Sequence, residues 1–179
     1  MRVGTDETRL IVVRGNSGSG KSTIARAIRS AYGRGVAWVS QDILRRVVLR
    51  VHDTPGNPAI GLIDLAARHA LDHGYHVVLD GILSAERYGT MLAGLHADHR
   101  GVSLFYYLDV SFDETARRHA TRPEASEFTV TQMREWYERR DLLPSVAERV
   151  VDESTSLADT VALILAESAL LDLRAAAER

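Results

Sequence analysis

Two rhythms of apolar residues alternate along the chain. Short runs rich in Val, Ile, Leu and aromatic residues fall at 10–14, 36–39, 75–79, 102–108 and 149–151. Runs of this length, bounded by glycine or polar turns, predict buried strands. Between them, spacings of three and four predict helices over 22–30, 42–51, 59–73, 84–96, 112–120, 129–140 and 156–176. Ile24, Ala27 and Ile28 should share the inward face of the first, Gly74 should stop the third, and Ser156 with Asp159 has the form of an N-terminal cap. Residues 52–58, with Pro55, Gly56 and Pro58, predict a loop. Strands alternating with helices predict an α/β fold of three layers, with a five-stranded parallel sheet covered on both faces. No repeat or linker interrupts residues 1–179, so one domain is expected. In such sheets ligands collect at the carboxyl ends of the strands, and Gly15, Asp42 and Asp80 all fall at or just past such ends.

The first strand runs into Gly15-Asn16-Ser17-Gly18-Ser19-Gly20-Lys21-Ser22, a full match to G-x-x-x-x-G-K-[ST] between a strand and a helix. Glycines let successive N–H groups turn inward onto phosphate oxygens, and the helix start adds its positive end. Lys21 is expected to reach the β- and γ-phosphates and Ser22 to ligate Mg²⁺, with Thr23 completing the nucleotide contacts. This pattern predicts a nucleoside triphosphate site, for ATP or for GTP, with Mg²⁺.

Three further groups bear on what the phosphate does. Asp42 lies just past the second strand, where a carboxylate could take the proton of an attacking hydroxyl or cap the next helix. Arg45, one turn on, could hold Asp42 or neutralise an acceptor's charge. Asp80, at the end of the third strand, could hold Mg²⁺ with Ser22, bind the acceptor, or simply form an Asp-Gly turn. Arg118 and Arg122, four apart, could close over the triphosphate as part of a lid at about 117–128, or belong to a solvated helix face. Pro123 leaves the helical state of Arg122 open. His52, Asp53 and Asn57 lie in a surface loop that could line an acceptor pocket. His69, His73, His96 and His99 form no metal-binding pattern.

Composition narrows this picture. A net charge of −2 supplies no general attraction to nucleic acid. Cysteine is absent, which removes disulfides and thiolate metal sites. No apolar run approaches the roughly 20 residues of a membrane span, and residues 10–13 are too few for a signal sequence. A cytoplasmic enzyme, monomeric or homodimeric and away from membranes, is the expectation. Of 22 basic residues only Lys21 is a lysine. Genome composition accounts for the arginines, yet the phosphate loop keeps the compact ammonium.

Taken together, the loop, Asp42-x-x-Arg45, the Leu108-Asp109-Val110 strand end, Glu114 with Arg118 and Arg122, and Met133, Trp136 and Tyr137 resemble P-loop kinases of the nucleoside-monophosphate-kinase-like fold. The resemblance covers about residues 10–141. It is narrower toward the branch of chloramphenicol phosphotransferase, zeta-toxin-type kinases and 5′-polynucleotide kinases. It implies that Lys21, Asp42, Arg118 and Arg122 act in catalysis, with Asp42 as base and Arg45 at the acceptor's phosphate. It also implies that the adenine passes near 152–154. The absence of a phosphatase domain and of net positive charge favours a small-molecule hydroxyl as acceptor over a nucleic-acid end. A nucleotide-dependent switch without an acceptor is the remaining alternative.

Overall fold

The computed structural model describes residues 2–120 and 129–177. Five strands, β1 (Arg9–Gly15), β2 (Val36–Ser40), β3 (His76–Gly81), β4 (Val102–Asp109) and β5 (Arg149–Asp152), form one parallel sheet in the order β2-β3-β1-β4-β5. Helices α1 (Lys21–Tyr32), α2 (Ala59–Asp72), α3 (Ala85–Asp98), α4 (Phe112–His119), α5 (Val130–Trp136), α6 (Leu157–Ser168) and α7 (Leu170–Ala177) complete the fold. The expected α/β architecture and five-stranded parallel sheet are therefore present.

Strand periodicity divides the core in two. Leu10 and Val12 of β1 face α2 and α3, packing with Ile63, Ala67, Leu71 and Leu92. Ile11 and Val13 face the other way, with Ile24, Ala25, Ile28 and Ile164. All these side chains are at most 3% exposed, and each valine, leucine or isoleucine among them contributes roughly 1.5–3 kcal/mol by leaving water. Ala25 replaces the expected Ala27 on the buried face of α1, since Ala27 is only part-buried.

Three helices depart from expectation. Residues 42–51 do not make an α-helix; Ile43–Val48 is a π-helix with no buried residue. Only Leu44 packs part-buried against the core, and Ile43, Val47 and Val48 stay exposed. Helix α5 stops at Trp136, because Tyr137 turns extended and its hydroxyl donates to Val110 O at 3.0 Å. The closing helix is two helices, broken at Ala169, which takes a left-handed conformation at φ 51°. The Arg9 guanidinium helps to end α6 by donating to Ser168 O at 2.9 Å. The Ser156 cap forms as expected, accepting from Asp159 N.

Candidate active site

The loop after β1 is shaped by glycines with positive φ. Gly15 stands at φ 142°, where a Cβ would lie 2.7 Å from Leu108 O, and Gly18 at φ 83°, where one would lie 2.8 Å from Thr115 O. The loop is thus pressed between β4 and α4 at these two glycines, which have no room for a Cβ. It leads into α1, which has no acidic residue in its first turn, so its positive end is unneutralised by its own sequence. Lys21 is buried and folds back on the loop, donating to Asn16 O at 2.6 Å and Ser19 Oγ at 3.3 Å. The Asn16 side chain bonds the Glu138 backbone in both directions, at 2.7 and 3.0 Å. These two bonds tie the loop to the segment that follows α5.

Asp80 ends β3 on the α1 face of the sheet. Its Oδ2 accepts from Ser22 Oγ at 2.6 Å and its Oδ1 accepts from the Trp38 indole at 2.7 Å, and the residue is 1% exposed. The β2–β3 register, Trp38 beside Val78 and Ser40 beside Asp80, produces this contact. Alternation along β2 places Trp38 on the same face as Ser40, which is the signal that could have revealed it.

Asp42 is different. Its side chain is 61% exposed and contacts Arg45 Nη2 at 3.3 Å. It makes no capping bond to the helix that follows. Arg45 also donates to Val51 O at 3.2 Å.

A cavity of about 1090 Å³ joins these groups. Gly15, Asn16, Ser17, Gly18, Gly20, Lys21, Ser22 and Thr23 line it together with Asp42, Arg45 and Asp80. His52 and Asp53 line it as well; Asn57 does not, and caps α2 by accepting from Ala59 N at 3.1 Å. Asp53 is held by the Tyr88 hydroxyl at 2.6 Å and by Arg87 at 2.9 Å. A second cavity of about 300 Å³ lies beside the loop, lined by Ser19, Gly20, Thr23 and Asp152. Arg118 opens on this second cavity rather than the first, donating to Ser19 O at 3.2 Å and to Glu114 at 2.6 Å. Arg117 and then Arg118 hold the Glu114 carboxyl down at about 2. Arg122 and most of the expected lid lie outside the described residues.

Sequence patterns missed an arginine beneath the loop. Arg14 is fully buried and donates to both carboxylate oxygens of Glu148, to Asp141 at 3.1 Å and to Leu83 O at 2.9 Å. Asp141 in turn accepts from Ala85 N at 2.9 Å, at the start of α3. Gln41, also buried, accepts from Leu83 N at 3.0 Å. Burial pushes the Tyr107 hydroxyl up to about 12. It stays protonated, donating to Glu138 O and accepting from Asp141 N.

The family described as an AAA domain matches residues 10–143, from β1 through the segment after α5. The chain belongs to the AAA domain family. No curated protein matches it. Among solved structures this AAA domain is similar to a gluconokinase from Sinorhizobium meliloti, at 25% identity and TM-score 0.60, over 96% of this chain and 95% of that one. It is also similar to the Mycobacterium tuberculosis APS kinase CysC, at 17% identity and TM-score 0.64, over 96% and 99%. A third is a chain of the Pnkp1/Rnl/Hen1 RNA repair complex, at 19% identity and TM-score 0.51, over 83% of this chain and 50% of that one. The chain shares the fold of P-loop kinases, as its motifs led one to expect. Among the described residues no helix is long and apolar enough to cross a membrane.

Proposed function

We propose that this AAA domain is an ATP- and Mg²⁺-dependent kinase that transfers the γ-phosphoryl group to a hydroxyl of a small-molecule acceptor. One observation carries the reading: the phosphate loop and the Asp42–Arg45 step line a single cleft. A switch needs the loop but has no use for an exposed carboxylate facing the same space.

In this reading the loop amides and Lys21 hold the triphosphate. Lys21 exchanges its bond to Asn16 O for phosphate oxygens. Asp42 accepts the proton of the acceptor hydroxyl as that oxygen bonds the γ-phosphorus, and the bond to the β–γ bridging oxygen breaks to leave ADP. The Ser22 hydroxyl and the Asp80 carboxylate are hard oxygen donors 2.6 Å apart, a donor set that fits Mg²⁺. They would hold the ion, which when bound neutralises phosphate charge. The contact between Asp80 and Ser22 supports a role on the metal side over one on the acceptor side. Arg118, beside Ser19, lies toward the nucleotide's back and neutralises charge there. Arg122 is assigned the lid role with it from the sequence. The smaller cavity beside Asp152 suits the base.

Transfer of label from γ-labelled ATP to a panel of nucleosides, sugars, antibiotics and oligonucleotides tests the reading. Asp42→Asn should retain ATP binding and lose roughly 10²-fold or more in transfer. Near-wild-type transfer by that variant would remove Asp42 as base. Label on oligonucleotides alone would move the acceptor to nucleic-acid ends, and binding without any transfer would favour a switch.

A further inference from the structure

Ser84 Oγ is buried without a hydrogen-bond partner, in a residue that is 5% exposed and lines the large cleft. Ser84 is the N-cap of α3, where a serine hydroxyl usually accepts from the first N–H groups of the helix. Other groups do that here. Asp141 accepts from Ala85 N at 2.9 Å, and Ser84 O accepts from Arg87 N at 3.2 Å and from Tyr88 N at 2.9 Å. The hydroxyl is thereby left out of the fold, and a buried hydroxyl without a partner is costly. Turning it about χ1 toward the cleft breaks no bond.

The backbone just before it is also held at a cost. Leu83 is fully buried and left-handed at φ 45°, a conformation that a leucine disfavours. Two buried side chains keep it there: Gln41 accepts from Leu83 N at 3.0 Å, and Arg14 donates to Leu83 O at 2.9 Å. Backbone strain enforced by its surroundings clusters at ligand sites. Here it sets where Ser84 stands.

The surroundings of Ser84 are polar without surplus charge. Arg87, three residues on, lines the same cleft and donates to Asp53 O at 2.6 Å and Asp53 Oδ2 at 2.9 Å, both through Nη1. Its charge is met, while Nε and Nη2 keep their donors. Among the described residues the carboxylates lining the cleft match its cations in number. Nothing in this balance calls for an anion. An alcohol both donates and accepts, so it can bond the Ser84 hydroxyl in either sense and accept from Arg87.

We propose that Ser84, set by the left-handed Leu83, and Arg87 hold a second hydroxyl of the acceptor, and that the acceptor is an uncharged polyol. They fix this hydroxyl while another reaches Asp42. This rests on the kinase reading above and names its substrate class. A site built to hydrogen-bond a substrate hydroxyl strongly rejects the analogue that lacks it.

Label transfer from γ-labelled ATP is measured with the full chain and Mg²⁺ on glycerol, ribose, glucose and myo-inositol, with ethanol, glycerate and glycerol 3-phosphate alongside. A neutral polyol should be the best acceptor. Ser84→Ala should lower kcat/KM for it about tenfold and leave the KM for ATP unchanged. It should melt no lower than wild type, because the hydroxyl bonds nothing in the fold. The monodeoxy forms of the best polyol close the cycle: on the form lacking the hydroxyl held by Ser84, wild type and Ser84→Ala should be equal. No loss in Ser84→Ala, or the same loss on every deoxy form, overturns the subsite. Preferred transfer to a charged compound, an oligonucleotide end or ethanol overturns the polyol and leaves the kinase standing. No transfer to these or to any compound of the larger panel removes the kinase reading and this one with it.

Discussion

Asp80 and Asp42 are the same residue type in opposite surroundings. Asp80 is enclosed and receives two donors, which fixes the direction of both oxygens; Asp42 is mostly exposed and makes one long contact. Trp38 is what orients Asp80. Trp38→Phe keeps the ring and deletes the N–H, and should raise the Mg²⁺ concentration for half-maximal activity about fivefold, with nucleotide affinity at saturating Mg²⁺ little changed. A titration of activity against Mg²⁺ reads this. Two buried histidines control acid stability. His76 accepts from Arg9 N at Nδ1, which leaves Nε2–H for the Tyr32 hydroxyl. The Thr8 hydroxyl donates to Thr5 O, so His99 donates to it from Nε2 and accepts from Ser103 at Nδ1. Burial first, and then the charge of Arg9, lowers each from 6.5 to about 4, with His96 adding to the effect at His99. The unfolded chain therefore takes up these protons before the folded one does. Stability should be full above about pH 6.5 and fall by a few kcal/mol toward pH 4, as urea titrations across that range would register. His76→Gln or His99→Gln should flatten the slope.

At the scale of elements, the strands and the phosphate loop were legible in the sequence because their signals are local: apolar runs, glycine spacing and a helix start. Asp42, Arg45 and Asp80 could be placed on one rim for the same reason. What escaped depends on partners distant in the chain. Nothing near Ala169 marks a break, since the break is tied to the Arg9 guanidinium 159 residues from Ser168. Helix α5 is cut short where Val110 O and Asn16 capture Tyr137 and Glu138. The π-helix at Ile43–Val48 reads as an ordinary helix until it is seen that none of its residues is fully buried. A left-handed alanine is a cost that glycine does not carry. Ala169→Gly should stabilise the fold by about 0.5–1 kcal/mol in equilibrium unfolding without altering nucleotide binding.

Across the whole molecule, Arg14 joins the central strand to the segment after α5 and, through Asp141, to the start of α3. In the sequence it is merely a charge at the end of a strand, because the pairing with Glu148 spans 134 residues. The Glu148 side chain is 1% exposed, so removing Arg14 strands a buried carboxylate. Arg14→Leu should cost about 3–5 kcal/mol in denaturant unfolding. The cleft is bounded by this buried network below and by the phosphate loop beside it, which is bonded through Asn16 to the same segment. The Trp38 bond to Asp80 also gives the molecule an optical property. The chain has two tryptophans. One donates to Asp80, the carboxylate proposed to hold the metal, and the other, Trp136, lines the cleft. Indole emission thus arises wholly at the site, and ligand arrival can be timed in a stopped-flow cell with no added dye.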